Sequence, residues 1–505
     1  MRSPTNESLG DQAAGGVLWG VAQKWTQRLA GFATVAILAR LLRPDEFGLV
    51  AMATAFVPIV YLLADLGFST YIVQSHDTGN EVVSTAFWFS TTAGLTLCGL
   101  TFAAAPLVEA TLHVSGVSAV IAGLAPTIAL VGFSSVPISL LRRRMAFREL
   151  AIQSSVASVI GQVAAVVLAF GGAGVWALVV QSFVVQLVSA ILAWRTAHFR
   201  PSRTFSRRHF VEMTKFGTRV TAVEFVAVLR LWAETAIITA VLGVTGLGYL
   251  NVAQRLVQTA QDLSSAAVVP VSTVLFAQLR DITQRLTSAY VRALETVYVV
   301  VMPVMIGLSV AAPVVVPIAF GSQWGDSVTP VRALAVAAIF TLGATLDNGL
   351  YYGLGKPGRW LWYAIVVDGL TVATTAVTVH YGLVGVSVGF IGVAAVATVV
   401  RWFLVRRLLQ TTWFVVARPL LVTAPPALLS ACAGLLSLRL TNGLPNIVAL
   451  AIIAVFVAGT HVLSVRLLAP KLFTSTGQML TRRLPWPKAV AKQPGDAPVT
   501  ESQPD

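Results

Sequence analysis

AILARLLRPDEFGLVAMA, residues 36–53, and AIITAVLGVTGLGYLNVA, residues 236–253, align without a gap. Ala36, Ile37, Leu42, Gly48 and Ala53 recur as Ala236, Ile237, Leu242, Gly248 and Ala253. Each copy reads as the end of one apolar segment, a short turn and the start of the next. The offset of 200 residues encloses an even number of apolar segments, so both copies have one orientation in a membrane. Parallel repeats of this kind imply two lobes related by an axis along the membrane normal, with a binding site between them.

Composition sets the same frame. Of 505 residues, 56% are hydrophobic and 11% charged, whereas soluble domains carry about 25% charged residues. Mean hydropathy is +0.79. Apolar stretches long enough to cross a hydrocarbon core of about 30 Å recur along the chain. The sequence predicts an all-α polytopic membrane protein with about 14 transmembrane helices, at 17–41, 47–73, 83–108, 117–140, 151–170, 174–194, 216–242, 247–277, 293–320, 329–352, 359–380, 382–404, 418–438 and 445–468. Only a Tyr381-Gly382 turn separates two of these, so 12 or 13 is also compatible. The repeat divides the chain into a six-helix lobe at 1–200, a basic inter-lobe loop at 201–215, a second six-helix lobe at 216–410 and two further helices at 411–470. The lobes are pseudo-symmetric around a central cavity. A basic, then disordered, tail follows at 471–505, rich in Pro, Ala, Gln and Asp from about Pro485.

Lys and Arg number 35 against 21 Asp and Glu, a net charge of +14. These cations sit in loops between apolar segments, which points to membrane topology and not to nucleic acid. Arg142, Arg143, Arg144 and Arg148 lie in one even-numbered loop, Arg195, Arg200, Arg203, Arg207, Arg208 and Lys215 in the next. The odd-numbered turns hold little beyond Arg40, Arg43, Arg332 and Arg439. By the positive-inside rule both termini are cytoplasmic. Lys24 and Arg28 interrupt the first apolar segment, which argues against a cleaved signal peptide. Cys98 and Cys432 are lone thiols in apolar segments and imply no disulfide framework.

Charges inside spans are the informative residues, since each costs about 2.5–3.5 kcal/mol to insert. Lys24 and Arg28 share one face of the first segment; Arg219, Glu224, Arg230 and Glu234 lie in the seventh; Arg255 and Asp262 in the eighth. Asp65, Asp347 and Asp368 lie in the second, tenth and eleventh. The repeat sets Arg28 opposite position 228, two residues from Arg230. Arginines at matching depth, one per lobe, suit an anionic substrate, because a guanidinium keeps its charge and grips phosphate oxygens in a fork. Lys24, Arg28, Arg219, Arg230 and Arg255 are therefore the candidate substrate contacts. Asp65, Glu224, Glu234, Asp262, Asp347 and Asp368 are candidates for ion coupling or helix pairing. The competing reading is that each arginine is neutralised by a carboxylate and locks helices together, Arg230 with Glu234 at i,i+4 above all. Other patterns carry nothing. Gly353-Leu-Gly-Lys-Pro-Gly358 lacks the strand–helix context of a dinucleotide loop. The histidines are scattered without metal-ligand spacing. Gly385 and Gly389 form a G-x-x-x-G that fits close helix packing within the fold. No cofactor is called for.

Residues 41–74, LLRPDEFGLVAMATAFVPIVYLLADLGFSTYIVQ, resemble the first-hairpin signature of bacterial polysaccharide transporters. So do RMAFRELA at 144–151, GGAGVWALVVQ at 171–181 and the Trp194-Arg195 pair before the basic loop. The resemblance is to the polysaccharide transport branch of the multidrug/oligosaccharidyl-lipid/polysaccharide flippase superfamily, whose O-antigen flippases serve lipopolysaccharide biosynthesis. It implies two six-helix bundles around a central cavity in the bacterial cytoplasmic (inner) membrane. It also implies movement of a polyprenyl-pyrophosphate-linked oligosaccharide from the inner to the outer leaflet. Partners would be that lipid-linked oligosaccharide, membrane lipids, and the glycan polymerase and glycosyltransferases of the same pathway. The pyrophosphate and sugars cannot cross hydrocarbon unaided, and rocking of one lobe against the other would carry them. No ATP-binding motif is present, so an ion gradient, membrane potential or product removal would drive the step. A peptidoglycan-precursor flippase and a multidrug antiporter remain alternatives, although an antiporter for cations would favour an acidic cavity. A membrane glycosyltransferase or polymerase would need acidic residues in a substantial outer loop, and the outer turns are short.

The topology has a direct check. Cysteines at Ser202 and Ser475 should resist an impermeant thiol reagent in intact cells, and ready labelling at Ser202 would reverse the orientation.

Overall fold

The computed structural model describes residues 25, 27–75, 79–265, 276, 283–354 and 356–474, without the side chains of 219, 220, 222–224, 227, 265, 352, 353 and 357. Among the described residues the regular structure is helical throughout. The chain runs through α1 (27–41), α2 (Pro44–Asp65), α3 (Phe68–Gln74), α4 (Asn80–Leu112), α5 (Val117–Arg143), α6 (Phe147–Phe170) and α7 (Trp176–Ala197). It continues through α8 (Arg207–Ser265), α9 (Thr283–Phe320), a 3-10 turn at Ser322–Ser327, α10 (Val328–Gly353), α11 (Pro357–Thr378), α12 (Gly382–Leu408), α13 (Trp413–Leu440) and α14 (Asn446–Leu468). Among the described residues, eleven helical stretches are long and apolar enough to span a membrane. Two of these hold a break. Val228–Ser264 turns at Gly243, whose φ is 70°, and Gly358–Leu408 turns through the 3-10 segment Val379–Tyr381.

Local chemistry explains the first turn of the repeat. Pro44 opens α2 with its φ preset and no N–H to leave unpaired. Asp45 and Glu46 place negative charge at the helix start. Glu46 Oε2 also accepts the Arg43 backbone N–H at 2.8 Å. Arg43 pairs with Asp45, which raises its pKa from the usual value. The α2 helix stops at Leu66 and Gly67, both left-handed at φ 46° and 73°. The span expected at 47–73 is thus two helices, because Gly67 supplies the backbone reversal and Asp65 receives the Ser69 N–H at 3.3 Å.

Helices α2 to α7 pack mainly with one another, α5 lying against α2, α4 and α7. Helices α9 to α14 form a second group, in which α9 meets α10, α13 and α14. Helix α8 joins the groups, running along α2 and also touching α9, α10 and α11. The basic loop expected over 201–215 is shorter than that, because Arg207 already opens α8. The cause is apolar: Met213 is fully buried with Phe68 and Ile72, and Phe210 meets Phe68 edge-on at 5.9 Å. Ser206 N–H donates to Thr85 Oγ1 at 3.0 Å, tying the chain to α4 just before the helix starts.

The repeat-matched glycines meet. A Cβ on Gly48 would lie 1.6 Å from the Val244 carbonyl oxygen, and one on Gly248 would lie 2.1 Å from that of Pro44. The contact is reciprocal, since Pro44 and Val244 are themselves repeat mates. At the far end of α2 a Cβ on Gly217 would lie 2.0 Å from the Leu66 carbonyl oxygen. Gly385 and Gly389 pack tightly on Thr378 of α11, within the fold as expected. The Gly353–Gly358 motif falls at the junction of α10 and α11.

Candidate substrate-binding site

Helix α8 carries more of the span charges than any other helix. Beyond Gly243 it presents Arg255 and Asp262, seven residues apart and so on one face, about 10 Å along the axis. Arg28 of α1 reaches that face, its Nη2 standing 2.7 Å from Asp262 Oδ2. Both side chains stay accessible, 46% and 37% exposed. Arg255 is also exposed, although protein surrounds it on most sides. It has no ion-pair partner among the described residues. This face therefore holds two guanidiniums and one carboxylate, with Gln254 and Gln258 exposed beside them.

Before Gly243 the arrangement differs. Arg230 Nη1 donates to Glu234 Oε2 at 2.9 Å, the i,i+4 pair expected from sequence. Its Nε lies 3.0 Å from Asp368 Oδ1 of α11. Two carboxylates hold this one cation and tie α8 to α11. Arg28 and Arg230, expected to act as a facing pair, each engage carboxylates instead. Neither Asp262 nor Asp368 could be matched to its arginine by spacing, because each comes from a helix distant in sequence.

A third cluster is dry. Asp347 of α10 accepts a hydrogen bond from the Tyr290 hydroxyl of α9, and its Oδ2 lies 3.2 Å from Arg401 Nε of α12. Arg401 Nη2 donates to the Phe340 carbonyl at 3.3 Å. Gly343 leaves the room for this guanidinium, as a Cβ there would stand 2.9 Å from Nη2. Asp347 and Arg401 are each 2% exposed. This pair joins helices and faces no solvent. Arg401 is absent from the candidates read from sequence; its position inside the span 382–404 was the available signal.

Asp65 accepts hydrogen bonds from the Ser69 hydroxyl at 2.6 Å and from the Ser135 hydroxyl of α5. Lys24 lies outside the described residues, as do the side chains of Arg219 and Glu224 on α8. Among the described residues no cluster of His, Cys, Asp and Glu has metal-holding geometry. A separate apolar cavity of about 180 Å³ lies between α2, α4 and α8, lined by Met52, Phe56, Thr111 and Trp232 among others. Among the described residues, none of the span arginines borders it.

The geometry is that of a membrane protein with accessible cations within its helices, and comparison with known proteins agrees. The family described as polysaccharide biosynthesis protein matches residues 37–329. The chain belongs to that family. Its relatives include the succinoglycan biosynthesis transport protein ExoT of Rhizobium meliloti (strain 1021), 29% identical over 72% of this chain and 73% of that protein. The lipopolysaccharide biosynthesis protein WzxC of Escherichia coli (strain K12) is 22% identical over 78% of this chain and 81% of its own length. Among solved structures the chain is similar to the lipid II flippase MurJ in an inward closed conformation, with TM-score 0.74 and 14% identity, over 90% of this chain and 99% of that one. An inward-facing multidrug resistance MATE family transporter of the MOP superfamily aligns with TM-score 0.62 and 18% identity, over 76% of this chain and 94% of that one. These likenesses establish the fold, a membrane-transporter fold shared by proteins with different substrates.

The dry cluster has a measurable consequence. Arg401→Ala or Asp347→Ala alone leaves an uncompensated buried charge and should cost about 3–5 kcal/mol. The double variant should recover part of that loss, read as the melting temperature of the purified protein. Additive losses in the double variant would show that the pair is not coupled.

Proposed function

We propose that this protein carries a polyprenyl-diphosphate-linked oligosaccharide from the inner to the outer leaflet of the bacterial cytoplasmic membrane by alternating access. The observation that carries the reading is Arg255: a guanidinium within a membrane helix, accessible and without a counter-charge among the described residues. Such a charge is tolerated where it faces water or an anionic ligand. Beside it, Arg28 is held by a single carboxylate at an exposed site, a pairing that a diphosphate can displace. Arg255 and Arg28 are thus assigned to the diphosphate. Arg230, shared between Glu234 and Asp368, is assigned to holding α8 on α11. The names of ExoT and WzxC, which refer to succinoglycan transport and to lipopolysaccharide biosynthesis, favour a glycan substrate.

The architecture that serves this function has fourteen crossings. The stretches Val228–Ser264 and Gly358–Leu408 each contribute two, and the segment containing α1 adds one. The 51 residues of the latter stretch would reach about 75 Å if straight, far beyond one hydrocarbon core. The first six crossings and the next six form two lobes related by the 200-residue repeat, with the last two packed outside on α9. The lobes enclose the cavity that Arg28 and Arg255 line. Both termini are cytoplasmic. The polyprenyl chain stays in lipid while the head group crosses, and a glycan polymerase receives the product.

Loss of the protein should abolish export of a surface or secreted glycan while its lipid-linked precursor accumulates inside. Arg255→Ala should lower export about 10–100-fold at normal protein levels, the worth of a charge-assisted hydrogen bond of about 1.5–3 kcal/mol. Arg255→Lys should rescue poorly if phosphate is gripped in a fork. Unchanged glycan with altered resistance to cationic drugs would support a multidrug antiporter instead.

A further inference from the structure

The first turns of α8 gather cations where a helix is least suited to hold them. Arg207 and Arg208 open the helix, at the end that already carries partial positive charge, and no acidic residue shares that turn. Lys215 follows two turns later, and Arg200 and Arg203 stand exposed in the segment just before. Arg207, Arg208 and Lys215 are exposed, and none has an ion-pair partner among the described residues. Glu212 lies between them, where its Oε1 accepts the Tyr71 hydroxyl at 3.0 Å. These four leave two positive charges in excess. Together with Val211 they line an open recess of about 510 Å³.

The cations share their side of the helix with apolar residues. Phe210, Met213 and Gly217 turn the opposite side toward α2 and α3. On the outer side Arg207, Val211, Lys215 and Thr218 follow one another at spacings of three and four, all exposed. Phe225 and Leu229 continue the same stripe and are exposed as well. Phe225 lies ten residues beyond Lys215, about 15 Å along the axis. That is half the thickness of a hydrocarbon core of about 30 Å, the depth that an acyl chain fills. A water-soluble anion would use the cations alone, whereas an amphiphile with an anionic head and a hydrocarbon chain uses the whole stripe. We propose that the start of α8 is a binding site for an anionic phospholipid of the adjoining leaflet. Its phosphodiester lies on Arg207, Arg208 and Lys215, and a chain runs along Phe225 and Leu229. The two arginines can fork the phosphate oxygens, and the lysine adds a point charge. The phosphate thus supplies the counter-charge that the helix start lacks. The stripe is open, so its occupant is drawn from the bulk of the leaflet, where phospholipid far exceeds any lipid-linked carrier. The site is separate from Arg255, which lies beyond the Gly243 turn, and does not depend on what the protein transports.

The test reads which lipid touches the stripe. With Cys98 and Cys432 replaced by serine, a bimane fluorophore is attached to Phe225→Cys and the full chain is reconstituted in mixed vesicles. The vesicles combine phosphatidylcholine and phosphatidylglycerol, and one or the other carries brominated chains. Bromine quenches only a fluorophore it contacts, so comparing the two series gives the local preference between the lipids. Phosphatidylglycerol should be favoured about tenfold, the order expected of two net cations at a membrane surface, and less so at high salt. A fluorophore on Leu229→Cys should report the same preference, which guards against loss of the Phe225 contact. One on Val163→Cys, exposed on α6, should report almost none. The triple variant Arg207→Gln, Arg208→Gln, Lys215→Gln should reconstitute in equal amount and lose the preference. Arg407→Gln, an exposed cation at the end of α12, should keep it. Equal preference at Phe225→Cys and Val163→Cys would show general attraction to a basic protein and overturn the site. A preference that survives the triple substitution would do the same. Displacement of the brominated phosphatidylglycerol by a trace of polyprenyl phosphate would assign the stripe to the carried lipid and also overturn it.

Discussion

A formal charge inside hydrocarbon must be paired or hydrated, and that constraint organises the interior of this protein. Arg401 and Asp347 meet it in the dry, with Tyr290 and a backbone carbonyl completing the shell. Arg230 meets it by drawing carboxylates from its own helix and from α11. Arg28 and Asp262 meet it at an exposed contact between α1 and α8. Arg255, accessible and without such a partner among the described residues, stands at the end of this series. In the proposed function the series separates the charges that hold helices from those left for a ligand.

The second constraint is close approach of backbones. Side-chain volume is what normally separates helices, and its absence at Gly48 and Gly248 lets α2 and α8 touch through their carbonyls. These glycines stand at matched positions of the two aligned stretches, and each brings its helix against a carbonyl of the other.

Much of this was legible in the sequence. Apolar length and charge skew gave the helices, and the matched Gly48 and Gly248 gave a relation that became a physical contact. The Arg230–Glu234 pair followed from i,i+4 spacing alone. What the sequence hid was long-range pairing. Asp262 answers Arg28 across 234 positions, and Arg401 finds Asp347 from another helix; no local spacing encodes either. The break at Leu66 was also hidden, because Leu66-Gly67 sits in an apolar run and reveals its left-handed backbone only once α3 packs. The early start of α8 was masked by Arg207, Arg208 and Lys215, whose charge reads as loop although Phe210 and Met213 between them supply a buried face.

The central claim is that the cations on α8 and α1 carry a lipid-linked diphosphate across the bilayer. The most direct measurement uses purified protein in proteoliposomes with a fluorescent polyprenyl-diphosphate oligosaccharide, followed by quenching with impermeant dithionite. The account predicts that protein exposes the inner-leaflet pool to quencher, beyond the half exposed in empty vesicles, and that Arg255→Ala in equal amount does not. Quenching confined to the outer leaflet with the active native protein, or equal exposure by Arg255→Ala, would contradict it.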